Sequence, residues 1–482
     1  MNTPYPRPKW LDNAVFYEIY PQSFQDSNGD GIGDIPGIIS RLDYLKELGV
    51  DALWLNPLFD SPFKDAGYDV RDYKLVAPRY GTNEDLVRLF DQAHARGIRV
   101  LLDLVPGHTS EEHAWFQSSS RPEPNEFSDR YVWTDSWIAG GDGYPFIGGE
   151  TERDGTYILN FFKCQPALNY GWAHPKYPWQ DPALGPTARK TCDAMVDVMR
   201  FWLSLGADGF RVDMANSLVK HDDEGKPYTI KTWHYMFDQI RPEFPEAAFV
   251  AEWGVPSESV QAGFDMDFYL DWRWDNHPNG YNILLRNTNT PYVRENDLSY
   301  FNADTSTSIC GFLEQYEPQL RAAEKSGAFF SLITCNHDTW RVAPRLTERE
   351  LSLAWATILT CREFRLSITE MRLACATSCC PPKRAVTCVP APAPRCSGIA
   401  LITWDFPRLQ QRISICRSTP ARMLPPWRSS APNRILCGTR WRACWNTNGN
   451  SRLWRLTALS PSSAPSRKGV YLFSNAKMPR KA

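Results

Sequence analysis

From residue 14 onward, short apolar runs recur between longer stretches in which apolar positions return every three or four residues. The short runs predict strands over residues 14–21, 52–57, 100–105, 209–214, 249–253, 264–270 and 329–336. They are nearly continuous in apolar side chains, as strands buried on both faces are. The longer stretches predict helices, among them 37–48, 83–96, 188–205 and 231–241, with the helical period of an amphipathic face. Such alternation builds a parallel sheet with crossover helices, and seven β/α units in about 340 residues approach a TIM (β/α)8 barrel. A doubly wound sheet would want a Gly-rich phosphate loop after its first strand, and none stands there. Residues 106–172, rich in Trp, Gly, Pro and Asp, interrupt the alternation after strand three. The expected organisation is therefore a barrel over 1–105 and 173–360 with an inserted subdomain at 106–172, where a barrel enzyme adds substrate-binding surface.

Barrels of this kind carry chemistry at the C-terminal ends of their strands. Strand three ends Asp103-Leu-Val-Pro-Gly-His108, strand four holds Arg211-Val-Asp213, strand five ends Ala251-Glu252-Trp253, and strand seven ends Asn336-His337-Asp338. Carboxylates, histidines and one arginine should then converge on one mouth. Chemistry that needs paired carboxylates with no metal or redox cofactor is glycosidic bond cleavage. A strand-end Asp or Glu taken alone is more often an ordinary loop or helix-cap residue, and a lone histidine there can be a hydrogen-bonded structural one.

These four segments, with Tyr68-Asp69 after strand two and Gln165-Pro-Ala-Leu-Asn169 late in the insertion, resemble the conserved regions of the α-amylase superfamily of retaining glycoside hydrolases. The resemblance covers roughly residues 10–360 and points to the oligosaccharide-cleaving branch, the α-glucosidases and trehalose synthases. It implies Asp213 as nucleophile, Glu252 as general acid and Asp338 as a third carboxylate that binds sugar hydroxyls. It implies that Arg211 keeps the nucleophile ionised, that His108 and His337 bind sugar hydroxyls, that Tyr68 stacks on the sugar ring, and that Asp65 helps close the non-reducing end. The implied activity is retaining hydrolysis of α-glucosidic bonds in short gluco-oligosaccharides or maltodextrins. Trehalose synthesis or other transglycosylation by the same chemistry is the alternative, and a non-catalytic binding protein or a nucleic-acid-binding role stands further off.

The loop Asp26-Ser-Asn28-Gly-Asp30-Gly-Ile32-Gly-Asp34 offers oxygen ligands at alternate positions, as a hard cation requires. A turn rich in Asp, Asn and Gly without an ion is the other reading. Residue 37 is Gly, where an EF-hand needs Glu. The loop resembles the calcium loop of that same branch, which implies structural Ca²⁺ or Mg²⁺ at Asp26, Asn28, Asp30, Ile32 and Asp34. Two positions depart from the family pattern: Gly107 stands where Asn usually precedes the histidine, and Ala167 where Asp is common.

Composition adds a discontinuity. The net charge of −2 combines 32 Lys+Arg against 52 Asp+Glu in residues 1–360 with 21 against 3 in residues 361–482. Nine of the 13 cysteines follow residue 360, and all eight histidines precede it. Beyond 360 no strand or helix periodicity is read, so the eighth barrel strand and the usual C-terminal β-sandwich are expected to be missing. Writing plausible codons for Phe364-Arg-Leu-Ser-Ile-Thr-Glu-Met-Arg-Leu373 and reading two nucleotides later gives Pro-Phe-Ile-Tyr-Tyr-Gly-Asp-Glu-Ile-Gly, which resembles the family's eighth strand. The same offset over 394–399 gives Pro-Met-Gln-Trp-Asp. Residues 361–482 are accordingly expected to be frame-shifted, leaving open sheet edges. With no secretory or membrane-spanning apolar run, a cytoplasmic protein that meets oligosaccharide and neither nucleic acid nor membrane is expected. The four cysteines before 360 lack C-x-x-C spacing, which leaves a disulfide framework or zinc site without support.

Overall fold

The computed structural model describes residues 5–268, 299–306, 308–331, 336–337, 346–360, 367–369, 440–445 and 454–459. The chain divides into two compact units, Met1–Arg417 and Ser418–Ala482.

The first unit is built on eight parallel strands: β1 (Phe16–Ile19), β2 (Ala52–Leu55), β3 (Arg99–Leu104), β4 (Gly209–Val212), β5 (Ala248–Ala251), β6 (Met266–Phe268), β7 (Phe329–Ser331) and β8 (Ser367–Thr369). They are ordered β7-β6-β5-β4-β3-β2-β1-β8. The order is sequential because each right-handed crossover returns the chain beside the strand it left. Alternate residues of each strand face inward, where Phe16, Ala52, Trp54, Leu101, Ala248, Val250, Met266, Phe268 and Phe329 form one apolar cluster. The sheet is curled, since the Trp54 ring of β2 lies 6.0 Å from that of Phe268 on β6.

The helices cover the outer face with residues spaced for it. Helix α1 (Asn83–His94) starts at a capping box in which Thr82 and Asp85 satisfy each other's backbone N–H groups, an arrangement worth about 1 kcal/mol. It buries Leu86, Leu89, Phe90 and Ala93, the i, i+3, i+4, i+7 stripe. Helix α2 (Pro186–Ser204) starts on proline, whose missing N–H costs nothing in a first turn, and buries Met195, Val198, Met199 and Trp202. Helix α3 (Pro227–Ile240) buries Trp233, Met236, Phe237 and Ile240. Helices α4 (Cys310–Ser326) and α5 (Glu348–Thr360) follow in the last third of the unit. At the start of β4, Gly209 has φ +142°, and a Cβ there would lie 1.9 Å from the Ala248 carbonyl oxygen. Only glycine allows β4 and β5 to approach so closely.

Between β3 and α2 the chain forms the ribbon Phe146–Gly148 with Thr156–Ile158 and a small core of Val132, Ile158, Ala167 and Trp172. The structure corrects one expectation here. An eighth strand is present: Ser367–Thr369 pairs in parallel with β1, Phe16 opposite Ser367. The free edge of β1 offers unpaired N–H and C=O groups to any extended segment, and Ser-Ile-Thr is short but rich in β-branched residues. Strand structure also recurs in the second unit, where Arg440–Trp445 pairs antiparallel with Trp454–Leu459. Both segments alternate polar and apolar residues, and an Asn-Gly pair at 448–449 is a hairpin signal in the sequence between them.

Candidate active site

The inward-facing residues turn from apolar to charged at the C-terminal ends of the strands. Asp103 on β3 stands in register with Arg211 on β4, so the two point to the same side and meet at 2.8 Å. Arg211 is fully buried. Its Nη1 also donates to Asp213 Oδ1 at 2.9 Å, and its Nη2 lies 2.6 Å from Glu252 Oε1. That last contact is an ion pair at close range whose N–H direction misses hydrogen-bond alignment. The guanidinium plane rests on the Trp54 ring, 4.9 Å from its centroid, a cation–π contact.

One cation thus faces three carboxylates. Burial raises the Asp103 carboxyl above its ordinary range, and the Arg211 charge works against that rise. Asp103 Oδ2 also accepts from Trp54 Nε1 at 3.0 Å and from the Tyr68 hydroxyl at 2.8 Å. Three carboxylates on one guanidinium carry excess negative charge in a dry site, so a proton taken up by one of them relieves the other two. Glu252 Oε2 accepts the backbone N–H of Met214 at 2.9 Å. Met214 is held in the left-handed region, at φ 42° and ψ 42°, immediately after Asp213.

Several predicted residues come together around this cluster. His337 reaches the first strand and the Tyr68 loop, with Nδ1 2.9 Å from Glu18 Oε1 on β1 and Nε2 3.0 Å from the Tyr68 hydroxyl. The Tyr68 ring is buried and stacks on His337 at 5.2 Å and 19°. His108 is buried, and both its ring nitrogens face protein groups: Nε2 the Tyr68 carbonyl at 3.1 Å, Nδ1 the Asn160 amide at 3.0 Å. Burial lowers its pKa. Asp65 sits at the rim, accepting from Gln165 Nε2 at 2.8 Å, while Asp69 ties its loop through Ser61 and the N–H groups of Lys64 and Asp65. Asp338 lies outside the described residues.

Sequence reasoning singled out none of Glu18 and Trp54 on the first two strands, Asn56 just after the second, and Asp103 on the third as a site residue. Asn56 Nδ2 donates to Glu18 Oε1 at 3.1 Å, and both residues are fully buried. A fully buried carboxylate on an inward strand position was the available signal. Lys220 was missed too. It is buried, its Nζ donates to Asn160 Oδ1 at 3.2 Å, and desolvation pushes it down to about 8.

In the loop after β1, Asp26 accepts the N–H groups of Asn28, Gly29 and Gly31, and burial is too slight to offset them, so its pKa is lowered. Asn28 accepts from Asp30, and Asp30 from Ile32. Asp34 accepts from Ser27 and caps the helix Ile35–Ser40 through Gly37. The donor set is all oxygen, which suits a hard cation. Among the described residues no group of three or more His, Cys, Asp or Glu converges as a metal set.

Comparison with known proteins adds an independent line. A family model described as alpha amylase, catalytic domain, matches residues 18–364. The chain is 43% identical over 241 residues to an oligo-1,6-glucosidase of Heyndrickxia coagulans, a match spanning 47% of this chain and 40% of that protein. It is 42% identical over 258 residues to the trehalose synthase/amylase TreS of Mycolicibacterium smegmatis, spanning 50% and 40%. The chain therefore spans 40% of the length of each of these two relatives. Among solved structures, the trehalulose synthase MutB of Pseudomonas mesoacidophila MX-45 superimposes with a TM-score of 0.58 at 27% identity, covering 76% of this chain and 65% of that one. The trehalose-6-phosphate hydrolase TreA of Bacillus licheniformis gives 0.54 at 28% identity, covering 70% and 60%.

Proposed function

The chain belongs to the α-amylase catalytic-domain family, and from that premise we propose that it is a glycoside hydrolase that cleaves α-glucosidic bonds in short gluco-oligosaccharides or maltodextrins with retention. The observation that carries the reading is the single guanidinium of Arg211 held between Asp213 and Glu252. Asp213, paired with Arg211 at 2.9 Å, attacks the anomeric carbon as Glu252 gives its proton to the departing oxygen. The C–O bond to the leaving sugar breaks as the bond to Asp213 forms. Water then attacks the same carbon, Glu252 takes its proton, and Asp213 departs as a carboxylate. To act first as an acid, Glu252 must be protonated and turn from Arg211. Its contacts with Arg211 and the Met214 N–H suit the carboxylate that the second step uses as base. Asp338 would bind hydroxyls of the sugar at the cleavage point.

The names of the relatives favour α-glucosidic substrates, and the resemblance to a trehalose synthase supports isomerisation as a second reading. Purified protein is offered maltose, isomaltose and trehalose. Glucose alone from maltose supports hydrolysis, and trehalose from maltose supports isomerisation. Full activity in Asp213→Asn would overturn the assignment.

Two further parts belong to the same reading. The loop from Asp26 to Asp34 takes Ca²⁺ or Mg²⁺ as a structural ion, supported by its alternating oxygens. Its test is a rise in melting temperature with added Ca²⁺ that Asp30→Ala abolishes; no rise refutes it. The coding frame changes near residue 361, leaving the barrel with its inserted subdomain upstream and an out-of-frame tail downstream. The end of the family match at residue 364 and the switch to a basic, Cys-rich composition support this. Resequencing across that codon decides it, and mass spectrometry of the native protein that finds tail peptides in the present frame would sink it. Among the described residues no helix is long and apolar enough to cross a membrane.

A further inference from the structure

Gly107 breaks the family pattern, and the structure shows what fills the space. A Cβ at residue 107 would lie 2.8 Å from Asn160 Nδ2, so the Asn160 amide, delivered from the inserted segment, occupies the ground a side chain at 107 would use. That amide joins Lys220 to His108: Lys220 Nζ to Asn160 Oδ1 at 3.2 Å, Asn160 Nδ2 to His108 Nδ1 at 3.0 Å, and His108 Nε2 to the Tyr68 carbonyl at 3.1 Å.

The chemistry of the two ends fixes everything between. A lysine ammonium only donates, so the Asn160 atom facing it must be the oxygen. A backbone carbonyl only accepts, so His108 Nε2 must carry a proton. The NH₂ of Asn160 then faces Nδ1, which must accept and therefore carries none. An imidazolium would set two donors against each other at Asn160. Both ends impose the same amide orientation, and neither leaves a choice of tautomer.

We propose that Lys220 and Asn160 form a positioning relay that locks His108 as the neutral Nε2–H tautomer, with Gly107 kept side-chain-free to admit the Asn160 amide. Lys220 and Asn160 are positioning residues, acting on the site through His108. The relay couples three regions that meet beside Asp213: the loop after β4, the inserted segment and the end of β3. Its effect on turnover rests on the activity proposed above; its effect on the His108 proton does not.

The test uses the full chain labelled with ¹⁵N-histidine, with the His108 signals identified by their loss in His108→Gln. In the unaltered protein His108 should be neutral with its proton on Nε2. Lys220→Met and Asn160→Leu leave the Tyr68 carbonyl to hold the Nε2 proton but free or remove the amide that keeps Nδ1 bare. In both, Nδ1 should take up a proton at a higher pH than in the unaltered protein, and Lys220→Arg, which restores a donor-only group, should return the unaltered behaviour. On whichever α-glucoside is cleaved, kcat/KM should fall about tenfold in the first two variants, the scale for one lost buried partner, and recover in Lys220→Arg. Should those two variants not fold, Gly107→Ala, which pushes the amide aside, should likewise let Nδ1 take up a proton at a higher pH. In the unaltered protein, a proton on Nδ1 or a doubly protonated ring overturns the relay, and so does an Nδ1 that protonates no more readily in the variants. Absence of any α-glucoside cleavage would instead overturn the proposed function, while the nitrogen signals still decide the relay.

Discussion

Replacing Arg211 by methionine keeps a long side chain in the barrel and removes the only cation in contact with Asp103, Asp213 and Glu252 among the described residues. The three carboxylates are 2%, 8% and 4% exposed and sit 2.8, 2.9 and 2.6 Å from its nitrogens. Breaking a buried ion pair from one side costs about 3–5 kcal/mol, because the remaining charge keeps its desolvation penalty. Against a typical total stability of about 5–15 kcal/mol, that is a large fraction. The pH dependence carries the sharper signature. Burial already raises the Asp103 pKa, with Arg211 as the main opposing influence; without Arg211 the rise is unopposed. A carboxyl whose folded-state pKa is raised contributes its stability below the unfolded value of about 4 and loses it as pH climbs through the folded value. The deficit of Arg211→Met relative to the unaltered protein should therefore be largest near pH 8 and shrink toward pH 5. Urea unfolding followed by tryptophan fluorescence at both pH values measures it. A deficit below about 1 kcal/mol at pH 8, or one that grows on acidification, would refute the reasoning.

Asp267 is buried beside the Glu252 loop, accepting from Ser259 Oγ and from the N–H groups of Trp253 and Phe268, and burial pushes it up to about 7. Its contribution to stability is present below pH 4 and lost between about 4 and 7, at most about 1.4 kcal/mol per unit. Asp267→Asn should raise the urea midpoint relative to the unaltered protein at pH 8 but not at pH 4; a difference independent of pH contradicts the assignment. Gly209→Ala would drive a Cβ to 1.9 Å from the Ala248 carbonyl. A loss of about 3 kcal/mol or more is expected from strain at a positive φ and the parting of β4 from β5, and a midpoint change under 0.5 kcal/mol, the ordinary surface scale, would show that the strands separate freely. Asp213→Asn should lower kcat by about 10³-fold or more with little change in melting temperature, because Arg211 keeps two carboxylate partners; matched losses of activity and stability would count against a role in the chemistry.

The barrel was legible because its signal is local and repeated. An apolar run such as 52–57 predicts a strand without knowledge of its neighbours, and β2 formed within it as Ala52–Leu55. The eighth strand escaped notice because three residues in a basic, cysteine-rich tail carry no period, and its pairing is set by the open edge of β1. The strand-end positions led to Asp213, Glu252 and Arg211, since a charged residue there interrupts an apolar run. Glu18 and Asn56 interrupt their runs in the same way, but what they do depends on His337, which meets Glu18 from a part of the chain more than 300 residues away.

The relation between Asp103 and Arg211 shows what a fuller reading of pattern would have recovered. Parallel strands placed side by side bring matching inward positions together, and the register that sets Leu101 against Gly209 necessarily sets Asp103 against Arg211. An arginine buried there is answered by carboxylates on β3 and at the ends of β4 and β5, whose charge offsets the cost of its burial. The charge cluster is thus a consequence of register as much as of residue choice. Asn160 is different in kind: it comes from the inserted segment, where no period constrains the chain, and its only advance notice was the missing side chain at Gly107. A departure from a family pattern is in this case a vacancy with a defined shape, and the residue that fills it has to be sought across the fold.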